Sequence, residues 1–164
     1  LALTADGNVW SWGSGGFGSG GRLGHGDEQS QWQPKKIEAL VGQRVGAVSA
    51  GQYSLAITTD GAIWSWGCGD FGLLGHGDEQ DQLLPKKIEA FAGQRVVAVS
   101  AGRQHSLALT ADGAVWSWGF GAFGQLGHGG QQGQLQLPKK IETLAGQRVV
   151  AVSAGGLHNL ALAA

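Results

Sequence analysis

Val9-Trp10-Ser11-Trp12-Gly13, Ile63-Trp64-Ser65-Trp66-Gly67 and Val115-Trp116-Ser117-Trp118-Gly119 are three versions of one phrase in a chain of 164 residues. Its second tryptophan recurs at 12, 66 and 118, a period slightly above fifty. Short apolar runs and glycine-rich turns at such a spacing mark a repeat architecture rather than an ordinary globular core. One unit of this size cannot bury its own faces, so it must stack on neighbours.

The unit from Leu107 to Asn159 shows how the stack is built. Leu107 to Thr110, then Asp112-Gly113, then Val115 to Trp118 reads as two strands joined by a tight turn, because Asp-Gly tolerates the positive φ of a two-residue hairpin. Alternation puts Trp116 and Trp118 on one face and Val115 and Ser117 on the other. Gly119 to Gly129 carries too many glycines for a helix and reads as a structured loop. Pro138-Lys139-Lys140-Ile141-Glu142 predicts a short strand starting at a proline, which suits a sheet edge. Gly146-Gln147 then turns the chain into Val149-Val150-Ala151-Val152, expected to be a buried strand. With Leu160-Ala161-Leu162 the cycle restarts. About four strands per unit predict an all-β propeller of four-stranded antiparallel blades. A β-solenoid, whose coils are usually shorter and lack regular Asp-Gly hairpins, ranks second. No segment shows a helical period.

Composition excludes several classes. The 31 glycines return at fixed places, which makes them turn residues rather than linker. A formal net charge of -1 offers no global basic field, so direct nucleic-acid contact is not expected. The single Cys68 rules out an internal disulfide framework and a multi-cysteine zinc site, and is expected to pack as a small apolar residue. Apolar runs such as Val96 to Val99 are too short to span a bilayer.

The phrases Val99 to Thr110, Asp112 to Gly119 and Phe123 to Gly129 resemble the RCC1 repeat family, and the resemblance runs over the whole chain three times. It implies a propeller, commonly of seven blades, with sequence units out of phase with the blades so that neighbouring repeats share a blade. The repeats are read as 1–54, 55–106 and 107–159, with 160–164 opening another. Departures are modest. Ser19-Gly20-Gly21 is an insertion, Gly51 to Ser54 is one residue short, and Gly130-Gln131-Gln132-Gly133 adds a residue while losing the acidity of Asp27-Glu28 and Asp78-Glu79. Three units fall below the four to eight blades of a closed ring, and open sheet edges pair readily. The expectation is therefore about three blades of a longer propeller, or of a ring completed by a second copy.

Three motifs invite chemistry. G-x-G-x-x-G occurs at Gly13/Gly15/Gly18, Gly67/Gly69/Gly72 and Gly119/Gly121/Gly124, but a dinucleotide fingerprint needs a helix opening behind it, and Leu-Gly-His-Gly opens none. His25, His76 and His128 share the place in Gly-His-Gly; blade rotation separates them, whereas zinc ligands must converge to about 2 Å from one ion, so they are read as loop hydrogen-bonding groups. His105 and His158 stand where Tyr53 stands earlier, which argues for packing rather than general-base catalysis. Asp6, Asp60 and Asp112 are turn residues. Lys35-Lys36, Lys86-Lys87 and Lys139-Lys140, each followed by a glutamate, read as a solvated edge that discourages strand pairing. No catalytic, cofactor-binding or metal residue is assigned, no cofactor is expected, and the chain is read as not an enzyme.

Function then rests on what differs between uniform units. Candidate partner-binding residues are Gln52, Tyr53, Arg103, Gln104, Gly156 and Leu157, with Trp32, read as lying in a loop where the second unit has Leu83, either covering local apolar surface or anchoring a partner. A second variable cluster is Ser14, Gly16, Cys68, Asp70, Phe120 and Ala122. The expected role is a protein-interaction scaffold with protein partners, further RCC1 blades among them, and no membrane association. The resemblance also implies an alternative, guanine nucleotide exchange on a small Ran-like GTPase. That activity is associated with a projecting β-wedge, and the longest insertion here is a tripeptide. Plant members that sense UV-B use Gly-Trp-Arg-His-Thr where this chain has Gly102-Arg103-Gln104-His105-Ser106, so light sensing is rejected.

Overall fold

A computed structural model describes residues 1–16, 20–130 and 133–164. The inserted Ser19, the motif glycine Gly18 and the added Gln131-Gln132 lie outside the described residues. Among the described residues thirteen strands follow in chain order: β1 (Ala2–Leu3), β2 (Val9–Gly13), β3 (Gln31–Lys36), β4 (Val45–Ala50), β5 (Tyr53–Thr58), β6 (Ile63–Gly67), β7 (Gln82–Lys87), β8 (Val96–Ala101), β9 (His105–Thr110), β10 (Val115–Phe120), β11 (Gln134–Lys140), β12 (Val149–Ala154) and β13 (Asn159–Ala163). They pair as β1-β2-β3, β4-β5-β6-β7, β8-β9-β10-β11 and β12-β13. Two complete four-stranded antiparallel blades are thus flanked by a three-stranded and a two-stranded sheet. The fold is the expected all-β propeller segment, with about three blades' worth of strands.

The local chemistry accounts for each element. At the β5–β6 hairpin the Thr58 amide donates to the Ala62 carbonyl at 2.9 Å, and the Thr58 hydroxyl donates to the Asp60 carboxylate. Thr110 and Asp112 repeat that bond at 2.5 Å in the β9–β10 hairpin. These hydroxyls hold Asp60 and Asp112 below the usual carboxylate range. Central strands β5 and β9 are buried along their whole length. Val115, Ser117 and Trp118 are all buried, so both faces of an interior blade are covered, not one.

Three sequence expectations are corrected. The outer strand does not start at its proline: β11 begins at Gln134, and its register with β10 shifts between Ser117 and Gly119. Pro138, which has no N–H to donate, sits in that irregular stretch. The strand also stops at Lys140, because Glu142–Leu144 forms a 3-10 turn, as do Glu38–Leu40 and Glu89–Phe91. These turns tuck Leu40 and Phe91 under the blades. Finally, Val149 is the one fully buried residue of β12. β4, β8 and β12 are the innermost strands and pack on one another. Their small side chains allow close approach: the Ala101 amide donates to Ser49 Oγ and the Ala154 amide to Ser100 Oγ, both at 3.0 Å.

Candidate functional site

Antiparallel order sends the β4–β5, β8–β9 and β12–β13 turns to one end of the stack and the Asp-Gly hairpins to the other. The three inner turns lie side by side. The Arg103 amide donates to the Gly155 carbonyl at 3.3 Å. A Cβ on Gly51 would stand 3.4 Å from the Gly102 carbonyl oxygen. Stacking therefore gathers residues about fifty positions apart into one rim. On it Gln52, Arg103, Gly156 and Leu157 are exposed and Gln104 is half-buried. The Gln104 carbonyl accepts the Phe120 amide at 2.8 Å, which joins the rim to the loop after β10. There the Phe120 ring lies between Phe71 and Phe123, with centroids 5.0 and 6.0 Å away. Of the rest of that cluster, Ser14 and Asp70 are exposed, Ala122 is half-buried, and Gly16 and Cys68 are buried. Burial pushes the Cys68 thiol up to about 11.

Tyr53 and Trp32 are placed differently from the expectation. Tyr53 is fully buried; its Oη donates to the His105 carbonyl at 2.6 Å and accepts from Ser106 Oγ at 2.7 Å. Burial raises its phenol above the ordinary range. It clamps one blade to the next and offers a partner no surface. Trp32 lies on strand β3 rather than in a loop, on the outermost strand, and is 95% exposed.

Beneath the rim a second set of contacts ties the blades. The Arg22 carbonyl accepts Ser54 Oγ at 3.0 Å and the Trp66 indole at 3.1 Å. The Leu73 carbonyl accepts the Trp118 indole at 2.8 Å and lies 3.1 Å from Ser106 Oγ, whose one proton goes to Tyr53. At the third junction Asn159 Nδ2 donates to the Gln125 carbonyl at 2.5 Å, while Asn159 Oδ1 stands 2.6 Å from His105 Nε2. With the Asn159 amide nitrogen used as donor, its oxygen accepts, so Nε2 of His105 carries the proton. The sequence reading missed these serines and the asparagine. Their signal was a small polar residue at one phase, 54, 106 and 159, directly before a leucine.

The Gly-His-Gly imidazoles work inside their own blades. Ser11, Ser65 and Ser117 donate to the carbonyls of Leu23, Leu74 and Leu126 at 2.7, 2.7 and 2.6 Å. Nε2 of His25, His76 and His128 stands 2.9 Å from those same hydroxyl oxygens. A serine has one proton, already given to a carbonyl, so each Nε2 is the donor. This polarity is opposite to an activated serine, whose hydroxyl proton must pass to the imidazole. Burial, with Lys86 nearby, pushes His76 down to about 4; His25 and His128 are lowered for the same reasons beside Lys35 and Lys139.

The repeated glycines have steric reasons. A Cβ on Gly69 would collide with the Gln80 carbonyl. Gly72 has φ +74°, and a Cβ there would collide with Gln136 Cα of the next blade. A three-residue 3-10 turn, Asp70–Gly72, sits where a nucleotide fold would open its helix. The lysine pairs lie on the outer edge strands β3, β7 and β11. Among the described residues no helix is long and apolar enough to cross a membrane.

Comparison with known proteins fits this geometry. The profile of the Regulator of chromosome condensation (RCC1) repeat matches residues 6–57, 60–109 and 112–162. Each match takes its strands from two successive sheets, so sequence units and blades are out of phase. Human E3 ubiquitin-protein ligase HERC2 is 43% identical over 98% of this chain, which spans 3% of that protein. The ultraviolet-B receptor UVR8 of Arabidopsis thaliana is 37% identical over 99% of the chain, which spans 36% of it. The crystal structure of Prp20p from Saccharomyces cerevisiae, a protein studied for binding to Gsp1p and histones, superposes with a TM-score of 0.85 at 25% identity. That match covers 98% of this chain and 40% of Prp20p. The expectation that the chain stands outside the enzymes is corrected by these relatives. The chain matches a stretch within E3 ubiquitin-protein ligases, spanning 3% of HERC2 and 15% of the probable ligase HERC3 of Homo sapiens. With three profile matches over nearly the whole chain and the blade geometry beneath them, the chain belongs to the RCC1 repeat family.

Proposed function

We propose that the chain is a protein-recognition scaffold whose working surface is the rim of inner turns. The observation that carries this reading is the contrast between layers. Clamps under the rim repeat from blade to blade, whereas the turns above them differ in residue, and the first is one residue shorter: Gln52, then Arg103 and Gln104, then Gly156 and Leu157. A rigid framework holding variable turns is the arrangement by which propellers recognise partners. In the ligases such a surface suits capture of a protein, and the chain's share in any ligase reaction is recognition within a longer polypeptide. The sheet faces left uncovered at both ends of the stack are read as seats for further blades of the same kind.

The test uses the proteins named with Prp20p. Purified Gsp1p and core histones are titrated against the chain and against a variant carrying Arg103→Ala and Gln104→Ala. Affinity for a bound protein should fall at least tenfold with an unchanged melting temperature. Binding that the double variant leaves intact would remove the rim from the argument. Accelerated nucleotide release from a Ran-like GTPase would instead support the exchange reading.

A further inference from the structure

The rim end of the stack carries an aromatic pair that the blade architecture does not require. Phe120 stands where the first two units have Ser14 and Cys68, so this place in the blade accepts small side chains. Its ring meets Phe71 of the preceding blade with centroids 5.0 Å apart, and both residues stay partly exposed. Phe71 lies in the turn after β6 and Phe120 closes β10. The pair therefore sits at the junction of the two complete blades, with a finished sheet on either side.

Both rings are held in place. The Phe71 φ of +57° lies in the left-handed region, which a bulky side chain rarely adopts. Glycines flank it in tight contacts: Gly69 lies against the Gln80 carbonyl, and Gly72 against Gln136 Cα of the next blade. The Phe120 amide donates to the Gln104 carbonyl at 2.8 Å, which fixes the second ring to the rim. A pair set beforehand loses little freedom when a partner lands on it.

Charge decides what lands. The rim end carries six carboxylates, Asp27, Glu28, Asp70, Asp78, Glu79 and Asp81, against Arg22 and Arg103. The hairpin end has the opposite balance, nine lysines and arginines against six carboxylates. Asp70 directly precedes Phe71 and is exposed. Burial raises the Cys68 thiol first, and the Asp70 and Asp81 carboxylates add to it, so both carboxylates stand beside this loop. A carboxylate next to the negative face of an aromatic ring suits a guanidinium, which bonds the one and lies over the other.

We propose that Phe71, Phe120 and Asp70 form a seat for an arginine side chain from a basic segment of a protein partner. It rests on the reading of the rim as a recognition surface and names the chemistry that surface takes. Arginine is preferred to lysine because a planar guanidinium stacks on a ring and keeps its in-plane donors for the carboxylate. The acidic rim draws the segment in, and the rings select the side chain.

The test titrates the intact chain with a blocked peptide of Arg-Gly repeats and with its Lys-Gly counterpart, read by calorimetry. The Arg-Gly peptide should bind about threefold more tightly than the Lys-Gly peptide. Phe120→Ser and Asp70→Ala install residue types that the fold accepts at the equivalent Ser14 and Ala122, and melting temperatures check them. Each should weaken the Arg-Gly peptide about fivefold, whereas Asp27→Ala, which removes a carboxylate of the same end away from the seat, should change it by less than about twofold. No binding of the Arg-Gly peptide, equal affinity for the two peptides, or equal losses for Asp27→Ala and Asp70→Ala would overturn the proposal. The peptide comparison on the parent needs no substitution, so it stands even where a variant melts early. Proteins that still depend on Arg103 and Gln104, with no binding of the Arg-Gly peptide, would sink the arginine seat and leave the recognition surface intact.

Discussion

Trp12 and Trp118 occupy the same place in the same phrase, yet replacing each by phenylalanine should have very different consequences. Trp118 is fully buried, packs near the Phe91 ring with centroids 5.8 Å apart, and donates to the Leu73 carbonyl at 2.8 Å. Removing that donor costs about 1 kcal/mol. The smaller ring leaves an unfilled volume between two rigid sheets, which adds about 1–2 kcal/mol. Trp118→Phe should therefore destabilise the chain by about 2–3 kcal/mol, or roughly 5–10 °C in Tm for a domain of this size. Trp12 has no such partner and is half-exposed, so Trp12→Phe should stay within about 0.5 kcal/mol. Urea denaturation followed by circular dichroism, at a concentration low enough to prevent association, measures both. Equal losses for the two substitutions would refute the claim that the indoles stabilise through the neighbouring blade.

Acid should loosen the blades through the Gly-His-Gly imidazoles. Because His76 falls from 6.5 to about 4 in the folded chain, its contribution is present above pH 6.5 and is lost as pH drops towards 4. Discounted for its partial exposure, the loss is on the order of 1 kcal/mol. His76→Gln should flatten the fall in Tm between pH 7 and pH 4.5, and an unchanged slope would count against it. Gly69→Ala drives a methyl group into the Gln80 carbonyl and should lower stability by about 1–3 kcal/mol, with no effect on nucleotide binding of any kind. A Tm within a degree of the parent would show that the loop yields freely.

Much of the blade was legible because its signals are local. Asp-Gly between two apolar runs can only turn, alternating tryptophans can only lie on a strand, and both recur at a fixed period. The outer strand was harder: Pro138 drew the predicted start four residues late, since a register shift that accommodates a proline leaves no mark in composition. The 3-10 turns at Glu38, Glu89 and Glu142 are too short to show a period at all. At the candidate site the sequence could point to variable turns but not to depth. Tyr53 looked like one more variable residue, and only packing showed it buried as a clamp between blades.

By itself the sequence determined the repeat, the strands, the hairpins and the family, because backbone turns and side-chain alternation depend on neighbours a few residues away. Tertiary structure decided which copies of a residue are core and which are surface. Trp12, Trp66 and Trp118 are the same letter in the same phrase, and only the presence of a preceding loop separates the exposed one from the buried pair. It also decided that three turns about fifty residues apart share one rim. Burial and adjacency are properties of the stack, and a single unit carries no record of what stands beside it.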